Sequence, residues 1–476
     1  MTREELEKDL RKLGLKNGDI VLLHSALSSL GYLEGGAGAL IEAFLNVLGK
    51  DGTLVVPSFT AGIVPNTVKN DPRAVESIAP TAQVAAIGAK AEEICAEHWK
   101  CETAHAEGTP YFKIAQLGGY VCLLGVDQDR NTTLHSAEAL LHLPYLKKTD
   151  PRPIDTPEGK MHKSFAYFPG PHRNFIGIDH LFAEKMKTAL IGQAVVRLIK
   201  SRDLIDIAVS EGQKNPAFVL CDNPACNDCV HQRAQLRMAR LQNETFTLSS
   251  SAILAGRYIP EMIENCQAAG IGKIELDYVQ GKPIHVLPVE TLIKYVVELK
   301  DSGIGITALR SSVIPSDLPA FFNKTKACNI NSVVLPLTFE AETVVATAAE
   351  KNIDILFYNL GLSSQATSDK LLALKEAGLD CGFVFHAANF ARAGEHSILK
   401  SFKTKCLRFL KQLEISDAFY DGRVASLASG NAEIKELISI LRCASFSGTF
   451  VLGEGLRETG SLREITDQFW ALMDTM

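Results

Sequence analysis

No window of this 476-residue chain approaches the ~20 apolar residues that a membrane-spanning helix needs. The first residues, "MTREELEKDLRKLGLKNGD", carry a charged amphipathic helical pattern and lack the apolar core of a secretory signal. A basic run long enough to neutralise a file of phosphates is missing too. The formal net charge of −6 is dispersed, which argues against nucleic acid as the ligand. The 11 cysteines are odd in number and scattered, which speaks against a disulfide framework and for reduced thiols. These absences predict a cytoplasmic protein with no nucleic-acid or membrane partner that works on small molecules. Its length predicts more than one domain.

The second half has a regular rhythm. From Thr247 onward a short apolar strand, a turn and an amphipathic helix recur, and eight strands can be read. They are 246–253, 273–279, 305–313, 331–338, 354–360, 382–390, 415–423 ("ISDAFYDGR") and 448–455. Eight such units in ~230 residues predict a (β/α)8 barrel, because both count and size fit closure. The first half is α/β but less regular: "DIVLLHSAL", "GGAGALIEAFLNVLG" and "GTLVVPSFT" read as a βαβ unit. "AQVAAIGAKAEEICAEH" reads as a helix before the strand "YVCLLGV". The segment 147–180, rich in Pro, Gly and His without a period, reads as loops that build a site. The boundary falls near Gln242, giving domains 1–242 and 243–476.

The stretch "LLGVDQDRNTTLHSAEAL" runs from strand through turn into helix and sets His135 three residues before Glu138. Residues at i and i+3 share a helix face. An imidazole, titrating near ~6.5 in the free state, suits proton removal at neutral pH. A carboxylate on one ring nitrogen fixes which nitrogen faces the substrate. On spacing alone, the pair is equally two solvated helix residues. Upstream, His24, Ser25 and Ser28 in "HSALSSLG", then Gly35 and Gly36 opening a helix, offer donors and a helix N-terminus for a pantetheine or phosphate group, with Thr60 at a neighbouring strand edge. A Gly-Gly pair before a helix is also an ordinary turn.

At "LLHSALSSLGYLEGGAGALIEAFLNVLGKDGTLVVPSFT" and "GGYVCLLGVDQDRNTTLHSAE" the chain resembles the aminoglycoside 3-N-acetyltransferase family over most of its first ~240 residues. The resemblance implies an α/β acyltransferase that uses acetyl-CoA to acetylate an amine on an amino sugar. Its T-x-x-H-x-x-E element falls on Thr132, His135 and Glu138, the histidine near the reacting centre. One departure stands out. Where the family has Arg-Ser-x-His-Pro, this chain reads "ESIAP", with Glu76 and Ala79 in place of arginine and histidine and Gln83 where a serine often follows. A reversed charge at a substrate wall alters which amine binds.

"CDNPACNDCVH" spaces Cys221, Cys226, Cys229 and His231 as soft ligands for a structural zinc, four protein ligands leaving no open position. Reduced cysteines in a Pro/Asn turn fit the same letters, and the histidine follows the last thiol tightly. The second half resembles xylose isomerase-like sugar isomerase/epimerase barrels at "GFVFHAANFARAGE" and "GNAEIKELISILRCASFSGTFVLGEG". The resemblance implies a divalent metal held by carboxylates and a histidine at the strand C-termini. Here Tyr358, His386 and Ala418 stand at expected ligand positions. What remains for the barrel mouth is Glu275, Asn359, His386, Asp421 and Glu454, with Asp277 adding acidity. The expectation is an acetyl-CoA-dependent N-acetyltransferase fused to an inactive or sugar-binding barrel without a catalytic metal. The competing reading is a carbohydrate isomerase or epimerase whose first half only binds CoA or a nucleotide.

Overall fold

Alternate residues of a strand point to opposite faces, and in strand β1 (Ile20–Ser25) Ile20 and Leu22 join one buried apolar cluster while Val21 and Leu23 join another. Such a strand belongs in the middle of a sheet covered on both faces. The computed structural model describes residues 1–60, 62–168 and 172–476 and divides them into two units, Met1–Leu236 and Arg237–Met476. The division lies within the helix Asn227–Leu241. Among the described residues no helix is long and apolar enough to cross a membrane.

In the first unit, β1, β2 (Thr53–Pro57), β3 (Val75–Glu76), β4 (Val84–Gly88), β5 (Tyr120–Leu124), β6 (Lys187–Ile191) and β7 (Ala194–Lys200) form one sheet, in the order β3-β4-β2-β1-β5-β7-β6. β1 pairs in parallel with β2 on one side and β5 on the other. The helix Gly36–Leu48 connects β1 to β2, so the chain leaves β1 in one direction and returns at β5 on its far side. Ligands of open α/β sheets collect beyond the strand C-termini at such a reversal. The segment read as one long helix from Ala82 to His98 instead contains β4, antiparallel to β2, and only a short helix, Ala91–Cys95. Val84, Ala85 and Ala86 are all buried, and an apolar run buried on both faces has no period that separates strand from helix.

In the second unit, β8 (Thr247–Ser251), β9 (Lys273–Leu276), β10 (Gly305–Arg310), β11 (Ser332–Pro336), β12 (Asp354–Tyr358), β13 (Gly382–His386), β14 (Leu410–Ile415) and β15 (Thr449–Leu452) close into an α/β barrel of eight parallel strands. Outward residues such as Leu413 and Ile415 pack into the layer shared with the helices. Ala308, Val334, Tyr358 and Val384 form a small apolar patch of their own. The seventh strand is "LKQLEI", ending at Ile415 where the sequence reading began it. Residues 417–418 and 424–425 make a small hairpin beyond the barrel instead. Gln412 and Glu414, both buried, give this strand the polar look of a surface segment and so hide it in the sequence.

Candidate active site and the barrel mouth

The turn after β5 is ordered by its own side chains. Asn131 Nδ2 donates to Gln128 Oε1 at 2.8 Å, Asn131 Oδ1 accepts from the Thr133 amide at 3.2 Å, and Gln128 Nε2 donates to Asp179 at 3.0 Å. Gly125 opens this turn at φ 65°, and a Cβ there would overlap the Ser29 hydroxyl, so the close approach of the β1 and β5 loops needs glycine. The turn delivers His135 as the first residue of the helix His135–Leu140.

His135 Nδ1 and Glu138 Oε2 lie 2.7 Å apart. An ionised carboxylate only accepts, so Nδ1 carries the proton and Nε2 is the nitrogen left free to accept one. Glu138 is fully buried. Tyr145 Oη donates to its Oε1 at 3.1 Å, and Arg173 Nε donates to the same oxygen. Burial opposes the charge on Glu138, but the His135 hydrogen bond and the Arg173 cation outweigh it and hold the carboxyl below its ordinary value. The guanidinium of Arg173 also sits over the Tyr145 ring. Phe175 meets the His135 ring edge-on at 4.9 Å and His105 lies 5.0 Å away on another side. One part of the imidazole stays reachable, its side chain being 20% exposed. Nothing local in the sequence singles out Arg173, Tyr145, His105 and Phe175. Two of these, Arg173 and Phe175, sit in the Pro/Gly/His-rich segment 147–180, whose composition predicts site-building loops.

Ser25 is paired in register with Leu124, and Ala26 N–H donates to Leu124 O at 2.9 Å, so the loop after β1 starts beside the turn that carries the dyad. That loop forms a groove of about 510 Å³ whose walls include Ser25, Ser28, Gly31, Tyr32, Gly36 and Ile63. Helix Gly36–Leu48 starts at the groove, with Gly35 as an N-cap in the left-handed region and no side-chain cap on its first amides. Tyr32 and Ile63 are 82% and 62% exposed, an apolar rim with nothing of the described protein over it. Of the other residues assigned to cofactor binding, Thr60 is exposed and not part of the groove wall. Thr132 belongs to the short turn just before His135. His24 is buried in the sheet, its Nε2 without a partner among the described residues, and burial pushes its imidazole down to about 3.

In the cysteine cluster His231 is not with the thiols, since its Nδ1 bonds Asn227 O at 2.8 Å one turn back in its own helix.

The barrel mouth differs from expectation in who occupies it. Arg310, from the end of β10, reaches Glu275 Oε1 at 2.8 Å and Glu414 Oε2 at 2.6 Å and lies over the Tyr358 ring at 4.5 Å. Gln412 Nε2 donates to the other oxygen of Glu275 at 2.7 Å. His386 Nε2 faces Glu414 Oε1 at 3.2 Å. These surround a cavity of about 520 Å³ whose wall includes Asp277, Arg310, His386, Glu414, Glu454 and Arg457. Burial pushes the Asp277 carboxyl up to about 7, Arg310 opposing the shift and Glu454 and Glu275 adding to it. Glu275 lies beneath Arg310, fully buried and outside the cavity wall. Asn359 is spent on the backbone of His386, donating to its carbonyl at 3.4 Å and accepting from its amide at 3.3 Å. Asp421 is exposed and paired with Arg423 at 2.8 Å, in the hairpin that the misplaced seventh strand had put at the mouth. Arg310, Gln412 and Glu414 were missed, since polar residues inside a barrel leave no apolar signature.

Comparison with known proteins supplies independent findings. A family model described as aminoglycoside 3-N-acetyltransferase matches residues 22–61 and 60–211. Aminoglycoside N(3)-acetyltransferase IV of a Salmonella species is 33% identical over 240 residues, covering 46% of this chain and 90% of that protein. Aminoglycoside N(3)-acetyltransferase VII of Streptomyces paromomycinus is 29% identical over 263 residues, 44% and 91% of the two chains. Among solved structures, AAC-IIIb in binary complex with CoASH is 26% identical and covers 45% of this chain and 97% of its own, with a TM-score of 0.42.

Proposed function

Because the chain belongs to the aminoglycoside 3-N-acetyltransferase family through its first unit, and is thereby an acyltransferase, we propose that it moves the acetyl group of acetyl-CoA to an amine of an amino sugar or aminoglycoside-like molecule, with His135 as general base. The observation that carries the reading is the 2.7 Å contact between His135 Nδ1 and the buried Glu138. Only a neutral amine attacks a thioester. As its nitrogen bonds to the carbonyl carbon, His135 Nε2 takes the amine proton; the C–S bond then breaks and the proton passes to the departing thiolate. Glu138, itself fixed by Arg173 and Tyr145, keeps the imidazole in the accepting tautomer and stabilises the imidazolium. The groove at Ser25 to Gly36 suits the pantetheine arm, and the uncapped N-terminus of the helix Gly36–Leu48 suits a phosphate.

A thiol-release assay over a panel of amino sugars tests the proposal. Release of CoA that depends on both acetyl-CoA and an amino sugar is expected; hydrolysis alone, whatever the sugar, would sink it. Glu76 carries its negative charge beside Ser58 and Lys69, at 2.7 and 3.0 Å, where the family pattern has arginine. Gentamicin-like compounds should therefore be poorer acceptors than smaller or differently charged amino sugars. Comparable kcat/KM across both classes would show that this wall does not select.

For the second unit we propose a sugar-binding barrel, akin to the xylose isomerase-like isomerases and epimerases, that works without a divalent metal. The supporting observation is Arg310, a fixed cation that already takes one oxygen each of Glu275 and Glu414. A divalent ion there would have to displace a guanidinium it repels. Calorimetric titration of the full chain with Mg²⁺ or Mn²⁺ should give no saturable binding at the barrel. A binding heat abolished by Glu414→Gln would overturn this.

A further inference from the structure

Three thiols and a histidine meet in the first unit, and the histidine is not the one that follows them in sequence. His172 Nδ1 lies 3.2 Å from Cys229 Sγ and 3.4 Å from Cys226 Sγ. These atoms and Cys221 Sγ all fall within 4.8 Å of one another. We propose that Cys221, Cys226, Cys229 and His172 hold one structural zinc ion that ties the loop carrying Arg173 to the segment leading into the helix Asn227–Leu241.

Tetrahedral zinc, with bonds of ~2.3 Å to sulfur and ~2.0–2.1 Å to nitrogen, sets its ligand atoms roughly 3.5–3.8 Å apart. The four atoms lie within 4.8 Å of one another, with His172 Nδ1 at 3.2 and 3.4 Å from two of the sulfurs, close enough for one ion to take all four. The backbone is arranged for the purpose. Asn223 Oδ1 accepts from the Ala225 amide at 3.0 Å, and Cys226 N–H donates to Asn223 O at 3.0 Å, a turn that brings Cys226 to the start of the helix with Cys229 on its first turn. The Cys221 amide donates to Cys229 Sγ at 3.3 Å, the kind of bond that stabilises a thiolate. Across the site, Asn174 N–H donates to Val219 O at 2.8 Å, so the two segments are already pinned beside the ligands. None of the three cysteines is in a disulfide. Three thiolates and one imidazole fill a tetrahedron, leave no position for substrate and favour a soft ion over Mg²⁺ or Ca²⁺.

The site has a consequence for the dyad, which rests on the catalytic reading given above. Arg173 follows His172 directly, donates from Nη1 to the His172 carbonyl at 2.6 Å and from Nε to Glu138. Fixing His172 on zinc fixes the peptide from which Arg173 reaches the carboxylate that orients His135, which makes His172 a positioning residue for catalysis.

Elemental analysis of the purified full chain should find one zinc per molecule. Replacement by Co²⁺ under reducing conditions should give the intense thiolate-to-cobalt charge-transfer bands and tetrahedral visible bands of a three-thiolate site. His172→Ala and Cys226→Ser should lose the metal while His231→Ala keeps it. The cobalt spectrum is read on the unaltered chain and serves if a variant fails to fold. A reduced chain that carries no zinc and takes up no cobalt, a Cys226–Cys229 disulfide in the native protein, or metal lost from His231→Ala but kept by His172→Ala would each overturn the site. Removing the zinc with a chelator should lower kcat, and adding it back should restore it. Unchanged kcat in the zinc-free chain would overturn the positioning role, whereas absence of acetyl transfer in both forms would overturn the catalytic reading and leave the zinc count standing.

Discussion

Replacing His135 by alanine is expected to lower the turnover of acetyl transfer by ~10²–10⁴, the usual worth of a general base, with each tenfold equal to about 1.4 kcal/mol of barrier. The affinity for CoA should stay the same. The groove assigned to the cofactor is walled by residues around β1 and the helix Gly36–Leu48, and His135 is not among them. A fall in kcat with an unchanged Kd for CoA is therefore the signature of a base, whereas a matching loss of both would indicate local collapse. Unchanged turnover on a confirmed acceptor would remove His135 from the mechanism. Glu138→Gln should cost less in kcat, because the amide still accepts from Nδ1 and keeps the tautomer. It should also destabilise the fold, since Arg173, buried and aimed at Glu138, would keep its charge without a counter-ion. A loss as deep as that of His135→Ala would give the carboxylate a direct part in the chemistry.

The largest expected loss of stability lies in the other unit. Arg310→Met keeps most of the apolar stem over Tyr358 but leaves Glu275 and Glu414 facing each other inside the barrel with no shared cation. Breaking one side of a buried ion pair typically costs about 3–5 kcal/mol, because the remaining charge stays desolvated. Burial opposes the charge on Glu414, but Arg310 and then His386 hold it well below the usual carboxylate range, so the substitution removes the larger of the two interactions that keep that carboxylate charged. The chain has two tryptophans, one per unit, so Trp99→Phe makes Trp470 the reporter of the barrel. Urea unfolding followed by Trp470 fluorescence should then show the barrel transition at much lower denaturant in Arg310→Met. Adding Glu275→Gln and Glu414→Gln should recover much of the loss. A cost below about 1 kcal/mol for Arg310→Met would mean that water already screens this network, in conflict with the fixed pairing of Arg310 with Glu275 and Glu414 on which the metal-free reading rests.

Which parts of this molecule were legible in advance follows from how far each signal reaches along the chain. The βαβ start, the eightfold strand and helix rhythm, and the pairing of His135 with Glu138 are local: hydrophobic periodicity, a helix opening at Gly35–Gly36 and an i, i+3 spacing all fit within a few residues. Strand β4 escaped because an apolar run buried on both faces has no telling period, and β14 escaped because Gln412 and Glu414 turn their polarity inward. Tertiary structure alone decided what distant residues do. It brought Arg173 to Glu138 across 35 positions, Arg310 to Glu414 across 104, and His172 to the thiols in place of His231. Chain connectivity sets only which neighbours are near in sequence, while desolvation and packing select which charges and ligands meet; that choice is made when the open sheet assembles and the barrel closes.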